Sequence, residues 1–176
     1  MVALAASVIL SFYGIYNAKN TVITTYDVII NKSFVDKSLM VVSDIHLGTV
    51  VTKADLTKLS EHAEAIAPSG IILLGDIYDE GTTQDEFDYS LQVFKILASK
   101  YPVYYIEGNH EIGFQGGSPL REFNIVKKLK EIGIKVLLDD VTKLDDIYLI
   151  GRKDYVVKKR EALKDLTEPL DTSKPL

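Results

Sequence analysis

Residues 39–48 read LMVVSDIHLG, so a run of four apolar residues passes straight into Ser43, Asp44, Ile45 and His46. Two later stretches are built the same way: residues 71–76 are IILLGD, and residues 103–110 are VYYIEGNH. A short, continuously apolar run is the pattern of a strand buried on both faces. Here each run ends in side chains that ligate metals or carry protons. Between the runs the period changes. Residues 53–66 place Leu56, Leu59, Ala63 and Ile66 on one helical face, with Pro68 just beyond. Residues 84–100 do the same with Phe87, Leu91, Phe94 and Leu97. Strands alternating with helices predict crossover units, a largely parallel sheet and the α/β class.

Outside that centre the expectations are simpler. Residues 22–30 (VITTYDVII) are rich in β-branched side chains and predict a strand. Ser118-Pro119 supplies a cap and first turn for a third helix, running through Phe123, Val126 and Leu129 to a stop at Gly133. Residues 134–138 and 147–150 predict a strand pair around a polar turn. Residues 154–176 are charged, weakly helical over 159–166, and end like the approach to another strand.

Composition narrows the chemistry. A chain of 176 residues with 47% hydrophobic side chains can bury one real core but not two comfortable ones. A net charge of −5 argues against a nucleic-acid backbone as partner, since Lys158-Lys159-Arg160 alone makes a poor basic groove. With no cysteine, disulfides and thiolate metal sites are excluded. Any metal must then be held by carboxylates, amides and the three histidines, His46, His62 and His110.

Residues 1–18 carry no charged side chain and are mostly apolar. A spanning helix needs about 20 such residues, so this stretch sits at the lower limit. Tyr13 and Tyr16, followed by Asn17 and Lys19, have the composition of an interfacial boundary. Membrane association through this leader is the expectation.

In open α/β sheets, sites form outside the carboxyl ends of the strands. Three consecutive units would therefore deliver Asp44, His46, Asp76, Asn109 and His110 to one rim. The Asp-x-His spacing lets both side chains leave an extended backbone on the same side. Gly75 and Gly108 precede their ligands where a side chain would obstruct close backbone approach. Oxygen and imidazole donors suit Mn²⁺, Fe, Zn²⁺ or Mg²⁺. A carboxylate such as Asp76 can bridge two cations, which together create a hydroxide nucleophile and clamp a phosphoryl group. His62 lies within a predicted helix and reads as a surface or core histidine. Arg152 and Asp154, just after the strand ending at Gly151, are placed to reach the same rim, but read better as parts of a solvated loop.

Taken in order, Asp-x-His, Gly-Asp-x-x-Asp and Gly-Asn-His-Glu resemble the calcineurin-like metallophosphoesterase family. The stretches SDIHLG (43–48), LLGDIYDEG (73–81) and YYIEGNHE (104–111) are most similar to its bacterial membrane-associated branch. The resemblance covers residues 39–176. It implies an αββα sandwich of which this chain supplies the first half, and hydrolysis of a phosphodiester or phosphomonoester at two divalent metal ions, Mn²⁺ foremost. By the same resemblance Asp44 and His46 bind the first metal, Asp76 bridges, and Asn109 binds the second. His110 is then the general acid or a stabiliser of phosphoryl charge, and Asp79 hydrogen-bonds and orients it.

The departures matter too. Phosphoprotein phosphatases of this family have Arg where Glu80 stands, which points away from phosphoproteins and toward a small-molecule or lipid-like phosphoester. No histidine follows His110, so the family's later histidine and Gly-His-x-His loop are absent. The expectation is a leader or membrane-helix end over 1–18 and the N-terminal part of a phosphoesterase domain over 19–176. The competing reading is a catalytically incomplete remnant, acting as a weak metal binder or a membrane-linked interaction module.

Overall fold

The computed structural model describes residues 2–18, 21–113 and 118–176. In chain order its elements are α1 (Val2–Ala18), β1 (Leu39–Val42), α2 (Lys53–Ile66), β2 (Gly70–Leu74), α3 (Gln84–Lys100), β3 (Val103–Ile106) and α4 (Asn109–Ile112). A 3₁₀ turn (Pro119–Phe123), α5 (Ile125–Glu131), β4 (Lys135–Val136), β5 (Asp140–Leu144), β6 (Ile147–Gly151) and α6 (Leu163–Thr167) follow. The fold is mixed α/β, with a four-stranded parallel sheet in the order β1-β2-β3-β4.

Helices α2 and α3 begin and run where the sequence places them, because both carry a complete capping box. Thr52 and Asp55 exchange hydrogen bonds at the start of α2, as Thr83 and Glu86 do at the start of α3. Each such cap stabilises its helix by about 1 kcal/mol. Their apolar faces meet one side of the sheet. Leu56, Ala63, Phe87, Phe94 and Leu97 pack with Ile71, Leu73 and Tyr105, all buried. Strand residues of the other parity, Ile72, Tyr104 and Ile106, face a second cluster with Leu137, Leu144 and Leu149. Helices thus cover one face of the sheet and the β5–β6 hairpin covers the other.

Several expectations change. Residues 22–30 form no strand. Val22, Tyr26 and Ile29 are 78%, 81% and 92% exposed, and among the described residues no strand pairs with this segment. Strand propensity expresses packing on a pleated neighbour, and without that neighbour it does not make a strand. The helix expected from Ser118 is broken at Asn124, which adopts the left-handed conformation (φ 51°) that asparagine tolerates. The run 134–138 does not pair with 147–150. Its Lys135–Val136 joins β3 in parallel, while Ile147–Gly151 pairs antiparallel with Asp140–Leu144. Residues 172–176 form no strand, although Tyr148 N–H donates to the Pro175 carbonyl at 3.0 Å.

Helix α1 forms as the leader's composition predicts, but apolar side chains are exposed all round it, Leu4, Ile9, Leu10 and Phe12 each by more than 60%. At about 1.5 Å per residue its 17 residues span roughly 26 Å. Among the described residues no helix is long and apolar enough to cross a membrane.

Candidate metal centre

Because β1, β2 and β3 run parallel in register, their carboxyl ends emerge at one edge. Backbone hydrogen bonds continue the ladder past the strands: Asp44 N–H to the Gly75 carbonyl (3.2 Å), His46 N–H to Asp76 (3.1 Å) and Leu47 N–H to Ile77 (3.0 Å). Along this edge the backbone is bent sharply. Asp44, His46 and Asp76 all have left-handed φ values, 54°, 44° and 50°. Such angles are uncommon outside glycine and cost of order 1 kcal/mol or more each. Three of the four expected metal ligands bear that strain, and it aims their side chains at one place.

Ligand atoms of His46, Asp76 and His110 all lie within 4.8 Å of one another. Asp44 Oδ1 is 4.0 Å from His46 Nε2. The His46 and His110 rings meet edge to face, with centroids 4.7 Å apart. Asn109 shares a cavity with Asp44 and Asp76. The five residues that the sequence singled out are therefore neighbours. This donor set, carboxylate and amide oxygens with imidazole nitrogens, fits a hard or borderline divalent cation. His62 is half-buried on α2 and lies outside the cluster.

The close approach expected at the glycines is present. A Cβ on Gly75 would come within 2.9 Å of Gly108 N, and a Cβ on Gly108 would collide with the Asp76 carboxylate and amide. Glu111 holds these two turns together. Its buried carboxylate accepts from Ile77 N–H (2.7 Å), Tyr78 N–H (3.0 Å), Asp76 N–H (3.1 Å) and Gly108 N–H (2.9 Å). Burial pushes the Glu111 pKa up, against the backbone donors that pull it down. His110 N–H donates in turn to Asp76 Oδ1 at 3.0 Å. One carboxylate thus fixes the separation of Asp76 from Asn109 and His110. The sequence signalled Glu111 only as the last letter of Gly-Asn-His-Glu.

Asp79 does not orient His110. Its Oδ1 accepts from Thr49 Oγ1 (2.9 Å) and Gly81 N–H (2.8 Å), and its Oδ2 lies 3.3 Å from His46 Nδ1. Those contacts turn the side chain toward the loop after β1. A carboxylate beside Nδ1 favours the tautomer with its proton there, and leaves Nε2 on the side of Asp44. Glu80, the next residue, reaches His110 instead, with Oε2 2.9 Å from Nδ1. That hydrogen bond raises the His110 pKa and lowers that of Glu80. The residue that departs from the phosphoprotein phosphatase pattern is therefore the one that anchors His110.

Arg152 and Asp154 lie in a loop, but one that reaches the rim. Both are half-buried and line the same cavity of about 340 Å³ as Asp44, Asp76 and Asn109. The signal was their position just after a strand, and the β5–β6 hairpin that carries them there was not legible.

A parallel sheet with a polar ligand cluster at its carboxyl edge defines a metal-binding α/β protein. The family model for calcineurin-like phosphoesterases matches residues 37–172, and the chain belongs to that family. A comparison with curated proteins found no match. The family is metal-dependent, in agreement with the His46, Asp76 and His110 group.

Proposed function

We propose that this chain carries the two-metal centre of a phosphoester hydrolase, with Asp44, His46, Asp76 and Asn109 as ligands and Asp76 as the bridge. The observation that carries the reading is the convergence of His46, Asp76 and His110 within 4.8 Å at the carboxyl edge of the sheet. Bound divalent cations, Mn²⁺ foremost, would supply an activated water and neutralise phosphoryl charge. His110, held by Glu80 at one ring nitrogen, stands beside the ligands with its other nitrogen available to protonate the leaving oxygen. Asp79 acts through His46, keeping the ring in the ligating tautomer. Substrates are small-molecule or lipid-like phosphoesters, a reading supported by Glu80 in place of an arginine. Association with a lipid surface through α1 accompanies it, supported by the exposed Leu4, Ile9, Leu10, Phe12 and Ile15.

The test is hydrolysis of bis(p-nitrophenyl) phosphate with and without Mn²⁺, by the wild-type protein and the Asp76→Asn variant. Turnover that needs Mn²⁺ and falls at least about 100-fold in the variant supports the proposal. Absence of turnover on any phosphoester, with Mn²⁺ bound, would instead favour the metal-binding remnant. Co-sedimentation with anionic vesicles, lost when residues 1–18 are removed, tests the membrane contact.

A further inference from the structure

The cavity beside the candidate metal centre is electrically divided. The ends of β1, β2 and β3 contribute Asp44, Asp76, Glu107 and Asn109, whereas the segment after β6 contributes Arg152, Lys153 and Arg160 beside Asp154. That segment is pinned. Asp139, whose side chain is only 1% exposed, accepts from Lys153 N–H (3.1 Å) near one end and Glu161 N–H (3.0 Å) at the other. Its carboxylate also meets Arg152 Nε (3.4 Å) and Lys153 Nζ (3.2 Å), and Arg152 Nη2 donates to the Glu161 carbonyl at 2.8 Å. Asp139 itself has a left-handed φ of 57°. A buried carboxylate in an uncommon backbone conformation thus ties down the loop that brings the cations to the cavity.

On the wall after β6, cations outnumber carboxylates. Arg152 and Lys153 share one carboxylate, and Arg160 makes no hydrogen bond or ion pair among the described residues. Asp154 also lines the cavity, with Oδ1 accepting from Val156 N–H at 2.9 Å. On that wall three cations face Asp154 and the underlying Asp139, whereas the opposite wall carries the carboxylates of Asp44, Asp76 and Glu107. Guanidinium and ammonium groups cannot ligate a metal; they bind anionic oxygens, most favourably those of phosphate.

Resting on the phosphoesterase reading, we propose that Arg152, Lys153 and Arg160 recognise a second phosphate group on the substrate, one not attacked at the metal centre. The substrate class is then a phosphoester bearing two phosphates, or a pyrophosphate, in preference to a diester flanked by neutral groups. Arg160 is the specificity-determining residue because its charge has no partner among the described residues. Asp139 is a positioning residue that acts through Arg152 and Lys153.

Binding without metal isolates this claim from catalysis. Inorganic pyrophosphate and orthophosphate are titrated calorimetrically into the metal-free protein, into Arg160→Gln, and into Lys127→Gln as a control on α5. A nucleoside diphosphate and glycerol 1,3-bisphosphate form two further arms, separating a nucleotide from a lipid-headgroup carrier of the second phosphate. The expected result is pyrophosphate binding about tenfold tighter than orthophosphate, weakened about tenfold by Arg160→Gln and unchanged by Lys127→Gln. One carrier is expected to follow the same loss in the variant. Equal affinity for the two inorganic anions, or an Arg160→Gln isotherm matching wild type, overturns the proposal. Failure of the hydrolase reading registers separately, as a missing Mn²⁺-dependent turnover with pyrophosphate binding intact.

Discussion

Replacing Glu111 with glutamine tests whether one buried carboxylate sets the spacing of the candidate centre. The wild-type side chain accepts four backbone N–H groups, two on each oxygen: Ile77 and Tyr78 on Oε1, Asp76 and Gly108 on Oε2. An amide keeps one acceptor oxygen and turns a donor toward the other pair. Two buried N–H groups then lose their acceptor, at about 1–3 kcal/mol each. Removing the buried charge works in the opposite direction, since burial raises the Glu111 pKa and so opposes its ionised form. The net expectation is a loss of about 2–4 kcal/mol, a large share of the 5–15 kcal/mol typical of a domain. With a urea slope of about 2 kcal/mol per molar, the unfolding midpoint falls by about 1–2 M. Equilibrium urea unfolding followed by far-UV circular dichroism at neutral pH reads this directly. A midpoint shift below about 0.3 M, with an unchanged slope, would refute the clamp, because the four donors would then have found other partners at no cost.

Gly108→Ala places a Cβ against the Asp76 carboxylate, so Mn²⁺ affinity should fall at least about tenfold, measured by calorimetry, more than for Gly133→Ala, where the space is open. Asp79→Asn should release His46 from its tautomer, seen in ring ¹⁵N shifts, and weaken Mn²⁺ binding by about 10- to 100-fold. Burial would push the Asp139 carboxyl up, but hydrogen bonds from Glu161 and Lys153 N–H and the Lys153 ammonium hold it at about 2, against an ordinary 3.8. A depressed pKa contributes stability that is present above 3.8 and lost as pH falls toward 2. Allowing for solvent screening, that is about 1–2 kcal/mol. Urea midpoints of wild type should therefore drop over pH 4 to 2 by more than those of Asp139→Asn.

Much of this was legible because local signals and global demands agree over residues 39–112. Apolar helical faces and continuously apolar strands each allow one answer, and the parallel sheet then places Asp44, Asp76 and Asn109 along one edge. Residues 22–30 misled because their β-branched pattern presupposes a partner strand. Residues 134–150 misled because two strands and a hairpin turn compete for one stretch, and Asp139 and Asp145 take left-handed conformations that residue type does not announce. Within the candidate site, the residue types and their order along the rim were readable, but their hydrogen-bond partners were not. Asp79 and Glu80 are adjacent and both acidic, and only the contacts of Asp79 with Thr49 and Gly81 decide which of them meets His46 and which meets His110. The cations after β6 were only partly legible for a similar reason, since Arg152 stands just after a strand but a hairpin across the second face of the sheet carries the segment to the rim.

Calorimetric titration with Mn²⁺ tests the central claim, that residues from three parallel strand ends form one metal centre. The account predicts saturable binding that Asp76→Asn weakens by at least tenfold, because Asp76 is the residue shared by the cluster and the cavity. Failure of the wild-type protein to bind Mn²⁺, or an isotherm indifferent to Asp76→Asn, would contradict it.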